Sequence, residues 1–425
     1  MIDGPHGLPR LLAGLPADGS AITGSDHERL HGPLPHLEAT ALIGEIERSG
    51  LRGRGGADFP TARKLSAVAG GRGAKAVVVN ASEGEPASQK DKLLLARLPH
   101  LVIDGAMLAA EAVGAREVIV QIRGDAPAAI RGMRGAASVR SGDPAKLRIV
   151  EGPGGYVAGE ESAVMHFLNS GDPRPTLVPP RPFERGYRGR PTLVQNPETL
   201  AQVALIARYG AAWFRELGTH VDPGSVLVTI IGAVAWPGVY ELAFGTPMTE
   251  LLAAAGGPAE PLQALLVGGY FGTWVDATRL AAITLAREEL RMVGCALGSG
   301  VLFALGESAC GLHESCRVAR YLARESAGQC GPCVFGLDAI AGGMEDLAAG
   351  VAPPGERHRI LRWATEIRGR GACHHPDGAA RFVESALEVF SDDLDSHVHG
   401  RCGALPAGLP VEEQPVAARR GGARR

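Results

Sequence analysis

The sequence predicts an α/β protein whose largest domain is built on a mostly parallel sheet. Between about residues 36 and 214, short β-branched runs alternate with helical patterns, as expected when crossover helices connect parallel strands. From about residue 224 to 305 short strand-like runs prevail, and from about 307 to 398 the pattern is helical. These three observations divide the chain into an α/β domain, a smaller mixed module and a helical bundle.

Each element is predicted from its own periodicity and its flanking turn residues. In the first domain we expect strands at 76–79, 117–122 and 147–151, helices at 93–113 and 162–168, and a further helix through Leu200, Val203 and Ile206. In the second region, strands at 226–232 and 239–242 flank a Trp-Pro-Gly turn and precede a helix at 248–255. The last region is predicted to form helices at 316–322, 335–347, 358–368 and 378–390.

The domain boundaries follow from these changes of pattern. We predict an extended lead-in over 1–35, the α/β domain over 36–220, the mixed module over 221–305, the helical domain over 306–400 and a disordered tail over 401–425. The lead-in is rich in Gly, Pro and His and lacks a clear period. The tail is short, glycine-rich and ends in arginines.

Composition narrows the classes of function. The chain has 425 residues, a formal net charge of −3 and 45% hydrophobic residues, so no nucleic-acid-binding surface is expected. No apolar run reaches transmembrane length, and the N-terminus lacks a basic start followed by an apolar stretch. We therefore expect a cytoplasmic protein with no membrane span. Its seven cysteines then favour free thiols or metal ligands over disulfides.

A glycine- and arginine-rich stretch over residues 50–61 is the most distinctive local feature. It has the sequence GLRGRGGADFPT, and Lys64 follows. Glycines let backbone N–H groups approach an anion closely, and arginines add charge-assisted donors. These residues alone fit a phosphate-binding loop and a flexible Gly/Arg surface loop equally well.

Three further segments lie at the ends of predicted strands or at the start of a predicted helix, where ligand-binding loops are usual. Residues 80–86 (NASEGEP) and 152–161 each follow a predicted strand, and 191–199 (PTLVQNPET) opens a predicted helix. Ligands of parallel-sheet domains bind at the carboxyl ends of the strands. Together with the glycine-rich stretch, these motifs resemble the flavoprotein subunit of respiratory complex I, a family that includes flavin subunits of soluble hydrogenases and formate dehydrogenases. The resemblance extends from about residue 37 to 394.

The resemblance implies a Rossmann-like FMN- and NADH-binding domain, then a β-grasp (ubiquitin-like, SLBB-like) module and a helical bundle with an iron–sulfur site. We interpret the β-grasp module as a structural spacer. Glu161 matches a carboxylate at the adenosine ribose, and Glu85 matches a carboxylate near the nicotinamide, the catalytic candidate. The other cofactor-binding positions that the resemblance implies are Gly53, Arg54, Gly55, Gly56, Lys64, Asn80, Glu83, Tyr156, Gly159, Glu160, Asn196 and Thr199.

The chain departs from the family pattern at several of these places. Asp58 stands where a glycine is usual and brings negative charge to the phosphate loop, Ser82 replaces an aspartate, and Gln195 replaces an asparagine. Arg181 falls on one of two aromatic positions that sandwich the adenine, and the residues after Lys64 offer no ring. Because arginine can stack on a base or bind a phosphate, the dinucleotide is either held differently or bound poorly.

Cys330, Cys333 and Cys373 are the metal-ligand candidates. The resemblance implies a 4Fe–4S cluster on a CxxCxxC run and a fourth cysteine about forty residues later, but Ala327 occupies the first position of the run. Thiolates are strongly donating ligands for iron, whereas alanine cannot coordinate a metal. Three outcomes stay open: a 3Fe–4S cluster, a 4Fe–4S cluster with a fourth ligand such as one of the two histidines after Cys373, or loss of the cluster.

The other four cysteines carry no cluster motif. Cys310 matches a position upstream of the motif, and Cys316 falls on a helical apolar stripe, so both are interpreted as core thiols. Cys295 and Cys402 have no motif context.

The resemblance implies a diaphorase-type reaction. NADH gives a hydride to FMN, and electrons leave one at a time through the iron–sulfur centre to a ferredoxin-like protein or another redox subunit. The chain is then an NADH:acceptor oxidoreductase, either cytoplasmic or peripheral to a membrane complex. The alternatives are a flavin-only or partner-fed oxidoreductase and a non-enzymatic scaffold of a redox complex.

Overall fold

The first domain is organised around a parallel sheet. The computed structural model describes residues 7–400, 402, 404 and 407–411. In this part of the chain, four strands pair in the order β3-β2-β1-β4, with bounds β1 Lys75–Ala81, β2 Ala115–Arg123, β3 Lys146–Gly152 and β4 Thr192–Gln195. All neighbouring pairs are parallel. The predicted parallel α/β sheet is confirmed, and the ends of β1 and β4 lie side by side at its carboxyl edge.

Helices cover both faces of this sheet. They are α1 Gly24–His31, α2 Ala39–Ser49, α3 Thr61–Ala69, α4 Lys90–Arg97, α5 Pro99–Val113, α6 Pro127–Ser138, α7 Glu161–Ser170, α8 Pro182–Arg185 and α9 Pro197–Phe214. Val77 and Val79 pack against the layer that contains α5 and α9, whereas Val78 packs against Val164 and Met165 of α7. Because both faces are covered, β1 is a nearly continuous apolar run.

The predicted helix over 93–113 is two helices. α4 ends at Arg97 and α5 begins at Pro99, and the two axes are bent by 95°. Proline lacks the N–H that a helix interior requires and is tolerated at the first helical position, so Pro99 starts a new helix. Among the described residues no single helix is long and apolar enough to cross a membrane, and α4 and α5 meet that test only as a bent pair.

Part of the predicted extended lead-in is helical. Thr23 caps α1 by accepting a hydrogen bond from Asp26 N at 3.1 Å. His27 of α1 lies 2.8 Å from the buried Asp104 carboxylate of α5, which also accepts from Arg208 of α9 at 2.6 Å. The prediction was wrong over residues 24–31 because a buried polar cluster, rather than an apolar stripe, attaches this helix.

The second region is a mixed sheet with two short helices. Its strands are β5 Ser225–Gly232, β6 Gly238–Ala243, β7 Leu262–Val267, β8 Thr273–Asp276 and β9 Val301–Gly306, in the order β6-β5-β9-β7-β8, with α10 Met248–Ala254 and α11 Arg287–Met292. β5 and β9 are parallel and the other pairs antiparallel. Leu302 packs on the α10 side, and the adjacent Phe303 packs against the helical domain. The sheet thus has two buried faces.

The third region is a helical bundle. It contains α12 Gly311–Arg324, α13 Asp338–Ala348, α14 Glu356–Ile367, α15 His375–Val389 and α16 Ser391–Val398, and a π-helical turn Pro332–Leu337 leads into α13. The predicted helices are confirmed, with α12 and α15 longer than expected. The core of the bundle is filled by residues such as Leu322, Met344 and Phe382, which are fully buried.

The predicted disordered tail is packed where the structure describes it. Leu409 is 1% exposed, and its N–H donates to the buried Glu314 carboxylate at 3.1 Å. Ala407 N donates to the same carboxylate at 2.9 Å, and Pro410 O accepts from the Tyr270 hydroxyl at 2.6 Å. The prediction was wrong for 407–411 because Glu314 supplies acceptors that the tail sequence does not reveal. The rest of the tail lies outside the described residues.

Close packing of α5 on α9 predicts a strong effect of one methyl group. A Cβ atom on Gly105 would lie 1.8 Å from Leu200 O. We expect Gly105→Ala to lower the free energy of unfolding by about 3 kcal/mol or more, because the helices must separate. In α6, Gly135 has no atom within 4 Å of the same position, so Gly135→Ala should be neutral or stabilising by about 0.5–1 kcal/mol. Urea unfolding measures both, and equal losses would contradict the packing argument.

Candidate functional site

The glycine-rich loop closes on itself at the carboxyl edge of the first sheet. Gly53 N donates to Phe59 O at 2.9 Å. Gly55 and Gly56 are exposed, and a Cβ atom on Gly55 would lie 3.3 Å from Asn196 Cβ. The bare backbone therefore faces the start of α9, and the gap between them is open only because Gly55 has no side chain.

The Arg54 side chain turns away from this exposed backbone. Its own N–H donates to the Thr199 hydroxyl at 2.8 Å, while its guanidinium donates to Ser225 O at 3.2 Å and lies over the Phe244 ring. The buried Glu198 carboxylate is 3.9 Å from Arg54 Nε. A buried cation needs such an anion. Arg54 and Thr199 thus fix the loop, and the expected charge-assisted contact from this guanidinium is not what the structure shows.

Asp58, the acidic departure in the loop, is neutralised by two arginines. It has a left-handed φ of 49°. Arg52 Nε lies 3.0 Å from its carboxylate, and Arg287 Nη1 of α11 lies 2.9 Å away. Arg287 also pairs with the buried Asp222. Asp58 therefore ties the loop to the second domain, and its charge is offset within the protein.

Lys64 and Glu161 meet beside the end of β4. Lys64 Nζ donates to Glu161 Oε1 at 2.8 Å and to Val194 O at 2.9 Å. Both side chains are partly exposed. A cation and an anionic acceptor are thus presented side by side, which suits a ligand that carries both phosphate and hydroxyl groups.

The second and third ligand loops are packed against each other. Asn80 Nδ2, at the end of β1, donates to Gly159 O at 2.8 Å. A Cβ atom on Gly159 would lie 2.4 Å from Ser82 O, and one on Gly84 would lie 2.5 Å from Tyr156 O. Both glycines are required by close backbone approach, so the two loops form one wall of the site.

Several predicted cofactor-binding residues cap helices. Glu83 accepts from two N–H groups at the start of α4 at 3.1 and 3.2 Å, and Glu160 accepts from two at the start of α7 at 2.9 and 3.1 Å. Asn196 caps α9 by accepting from Glu198 N at 2.9 Å. Glu83 is buried and both its oxygens are engaged, so the structure gives it a capping role where the sequence predicted cofactor binding.

Glu85 is buried where three regions of the chain meet. One oxygen accepts from Tyr270 N at 2.8 Å and from the Tyr156 hydroxyl at 3.1 Å. The other oxygen has no hydrogen-bond partner among the described residues. Burial raises the pKa of Glu85 to about 7, and the bonds from Tyr270 and Tyr156 oppose that increase. At neutral pH this carboxyl is poised between its two protonation states.

Aromatic residues that the sequence reasoning missed surround Tyr156. Its ring centroid lies 4.7 Å from Phe271, 5.8 Å from His375 and 6.2 Å from Tyr321. Phe271 and Tyr270 lie in the segment Gly268–Gly272, whose glycine-flanked aromatic pair was an available signal. The rings come from all three regions and exclude water from the Glu85 side of the site.

The three candidate cluster cysteines lie close enough to interact. Cys333 is buried, and Cys330 and Cys373 are partly exposed. Burial raises the pKa of the Cys333 thiol to about 12, and the neighbouring Cys330 and Cys373 thiols add to the increase. The three thiols are thus near neighbours, although their ligand atoms do not all lie within 4.8 Å of one another. Ala327, at the expected fourth corner, offers no ligand.

The two histidines after Cys373 differ in their availability to a metal. His374 is 97% exposed and pairs with Asp377 at 3.2 Å. His375 is buried, with Nε2 2.8 Å from Leu322 O, and its Nδ1 has no hydrogen-bond partner among the described residues. A buried polar atom without a partner is costly, which makes His375 Nδ1 the better candidate for the open corner.

Comparison with protein families accounts for all three regions. Residues 46–205 match the Nuo51 FMN-binding domain, residues 227–269 match the SLBB domain, and residues 307–397 match the NADH-ubiquinone oxidoreductase-F iron–sulfur binding region. The predicted order of flavin domain, β-grasp-type module and iron–sulfur domain is confirmed. The chain is therefore of the class of flavin- and iron–sulfur-dependent oxidoreductase subunits.

Individual relatives define the family. The chain is 33% identical to the F 2 subunit of the NADH-quinone oxidoreductase of Rhizobium meliloti (strain 1021), over 89% of this chain and 93% of the relative. It is 33% identical to the F subunit of the NADH-quinone oxidoreductase of Streptomyces coelicolor, over 86% of this chain and 85% of the relative. The chain belongs to the family of NADH-quinone oxidoreductase F subunits.

Solved structures agree with this assignment. The NAD+-reducing NiFe-hydrogenase in the air-oxidized state matches with a TM-score of 0.81 and 34% identity, over 92% of this chain and 67% of that chain. The H2-reduced state matches with a TM-score of 0.78 and 34% identity, over 84% of this chain and 63% of that chain. The chain thus spans about two thirds of the hydrogenase chain that it resembles.

The raised pKa of Glu85 predicts a pH-dependent stability. Glu85 contributes fully to the free energy of unfolding below about pH 4.5, where its carboxyl is protonated in both the folded and the unfolded chain. That contribution is lost as the pH rises through about 7. Between about pH 5 and pH 8, wild type should therefore lose roughly 2 to 3 kcal/mol more of its free energy of unfolding than Glu85→Gln, which has no proton to lose.

Urea unfolding at both pH values measures this difference. Subtracting the variant from wild type removes the contribution of other titrating groups. The exposed Glu184→Gln variant is the matched control and should follow wild type. Parallel pH dependence of wild type and Glu85→Gln would show that Glu85 keeps an ordinary pKa.

Proposed function

We propose that the chain is the NADH-oxidising subunit of a redox complex, with FMN held at the carboxyl edge of the first sheet. The observation that carries this proposal is the convergence of four separate loops at that edge. They contribute the exposed backbone of Gly55 and Gly56, Asn80 and the Gly159 carbonyl to which it donates, and Asn196, and α3 adds the Lys64 cation beside them. FMN, when bound, accepts a hydride from NADH and releases the electrons singly.

The residues at this edge fit a flavin mononucleotide. Gly55 leaves open the space beside Asn196 that a Cβ atom would fill, and the loop backbone supplies N–H donors for a phosphate. Gln195, the last residue of β4, has a buried Nε2 with no hydrogen-bond partner among the described residues. An acceptor atom at the edge of the flavin ring would accept a hydrogen bond from this Nε2. Lys64 adds the positive charge that the Arg54 side chain does not.

Glu161 favours NADH over NADPH. Its carboxylate would bond the ribose hydroxyls and repel a 2′-phosphate. A cavity of about 490 Å³ is lined by residues of α7, beginning with Ser162, and of the segment 176–189, and we assign the adenosine end to it. Arg181 is exposed at the start of α8, between Pro180 and Pro182, which line this cavity, and its guanidinium would reach the adenine in place of an aromatic ring.

We propose that Cys330, Cys333 and Cys373 hold an iron–sulfur cluster that receives the electrons. Glu325, five residues before Cys330, accepts from Tyr156 N at 2.7 Å, so the cluster segment is attached directly to a flavin-side loop. Next to Cys333, Val334 and Phe335 are 44% and 75% exposed. We assign this apolar patch to the docking of the electron acceptor, a ferredoxin-like protein or another redox subunit, on a peripheral, cytoplasmic face.

A partner-fed oxidoreductase is the second candidate. Two observations favour it: Leu65, after Lys64, is 1% exposed in the core and offers no ring to an adenine, and Arg181 replaces the other ring. Electrons would then arrive from a protein donor, with the same flavin and cluster sites in use.

The visible spectrum of the purified protein and its response to nucleotides test these functions. Flavin bands with a broad iron–sulfur shoulder that NADH bleaches faster than NADPH are the expected result. Bleaching only by a reduced protein donor would establish the partner-fed reaction. A protein without flavin or iron after anaerobic reconstitution would be a scaffold, and the proposal would fail.

Gly55 provides the sharpest test of the flavin position. Gly55→Asp should reduce FMN content at least roughly tenfold, because a carboxylate would lie against the phosphate in the gap beside Asn196. Ala57→Asp puts the same charge two residues further along the exposed loop, in a cavity that Arg52 and Arg287 also line, so the new charge is offset there and the variant should retain FMN. Flavin released by acid and quantified by fluorescence gives the content. If the Gly55→Asp variant retains FMN, the flavin does not bind at this loop.

Ala327 provides the corresponding test of the cluster. Ala327→Cys restores the CxxCxxC register and should give a 4Fe–4S centre that survives air longer than the wild-type centre, since an iron corner without a thiolate is more easily lost. Ser326→Cys adds a thiol one residue out of register and should change nothing. Iron and sulfide analysis with electron paramagnetic resonance on anaerobic protein measures both. Absence of iron in all three proteins after reconstitution would mark the site as vestigial.

A further inference from the structure

A second group of metal-ligating side chains lies in the helical domain, outside the cluster motif. Cys310, His397 and Cys402 place their ligand atoms within 4.8 Å of one another. Cys310 Sγ is 3.2 Å from His397 Nε2. Cys310 and His397 are buried, and Cys402 is partly exposed. We propose that these three residues bind a structural Zn²⁺ ion that fastens the end of the helical domain.

The donor set and its spacing suit zinc. Structural zinc sites combine cysteine thiolates with histidine nitrogens at about 2.3 and 2.0 Å from the ion, so tetrahedral ligand atoms lie roughly 3.5 to 4 Å apart. The distance from Cys310 Sγ to His397 Nε2, 3.2 Å, is a few tenths of an ångström short of that spacing, and all three ligand atoms lie within 4.8 Å of one another. Two thiolates offset the charge of the ion, so the buried complex is neutral.

Burial and the nearby Asp393 carboxylate raise the pKa of the Cys310 thiol to about 12, so its deprotonation depends on the charge of the bound ion. One contact favours the thiolate. Cys310 is the N-cap of α12, and its Sγ accepts from His313 N at 3.3 Å. The positive end of a 14-residue helix favours negative charge at this position. Asp393 of α16 accepts from Gly311 N at 3.0 Å, so the helices that carry Cys310 and His397 are joined independently of the ion.

Described residues before and after Cys402 are packed against the helical domain. His397 is near the end of α16, and Cys402 follows five residues later. Beyond it, Glu314 of α12 accepts from Ala407 N and Leu409 N. An ion would thus close the long loop from residue 310 to 402 and restrict the unfolded chain. In the described part of the chain the group has three members, so the fourth ligand is solvent or a residue beyond that part.

The metal content of the full-length protein tests the site. We expect about one zinc per chain by mass spectrometry after passage over a chelating resin. Cys402→Ser and His397→Gln should each weaken zinc binding at least roughly tenfold, since even changes in the second shell cost that much. Cys295→Ser, which removes a buried cysteine elsewhere, and Cys330→Ser should keep the zinc. Iron and flavin contents should not change in Cys402→Ser, so failure here is separable from failure of the proposed redox function.

X-ray absorption at the zinc edge, which iron and flavin do not disturb, should show two sulfur ligands in wild type and one in Cys402→Ser. This spectrum of wild type decides the question even if a variant fails to fold. The proposal is overturned if wild type takes up no zinc from excess, if zinc stays bound in both ligand variants, or if peptide mapping of anaerobic protein shows a Cys310–Cys402 disulfide.

Discussion

A buried carboxylate, Glu198, holds the candidate site together. Lys90 Nζ of α4 lies 2.9 Å from it, Arg54 Nε of the glycine-rich loop lies 3.9 Å from it, and Leu227 N of β5 donates to it at 2.9 Å. One fully buried anion thus joins the loop, two helices and the second domain. Removing a partner from such a pair leaves an uncompensated buried charge, at a cost of about 3–5 kcal/mol. The position of the bare loop backbone depends on this cluster.

Glu85 makes a comparable junction on the other side of the site. It receives hydrogen bonds from Tyr156 of the first domain and Tyr270 of the second, and Tyr156 is in turn held by Glu325 of the third. The flavin-side loop is therefore a shared boundary of all three regions. In a protein that passes electrons from a flavin to a cluster, this arrangement fixes the separation of the two centres, which a flexible linker between domains would not do.

The departures from the family pattern are compensated unequally. Asp58, where the resemblance predicts a glycine, forms ion pairs with Arg52 and with Arg287 of the second domain. These two arginines neutralise its charge. The loss of a ligand at Ala327 has no such compensation from Cys310 or Cys402, because these two thiols gather with His397 instead. The predicted cluster site thus offers three thiols, while Asp58 ties the glycine-rich loop to the second domain.

The sequence by itself determined the parallel sheet and the order of domains, and it predicted the four ligand loops and the cysteine pair with Cys373, because these depend on periodicity, glycine and local spacing. It could not determine where Arg54 and Glu83 point, since a buried carboxylate and a helix terminus attract them. Nor could it reveal the packed tail or the group formed by Cys310, His397 and Cys402. These contacts join residues 87 to 95 positions apart. Such separations leave no local pattern, and only the tertiary structure decides them.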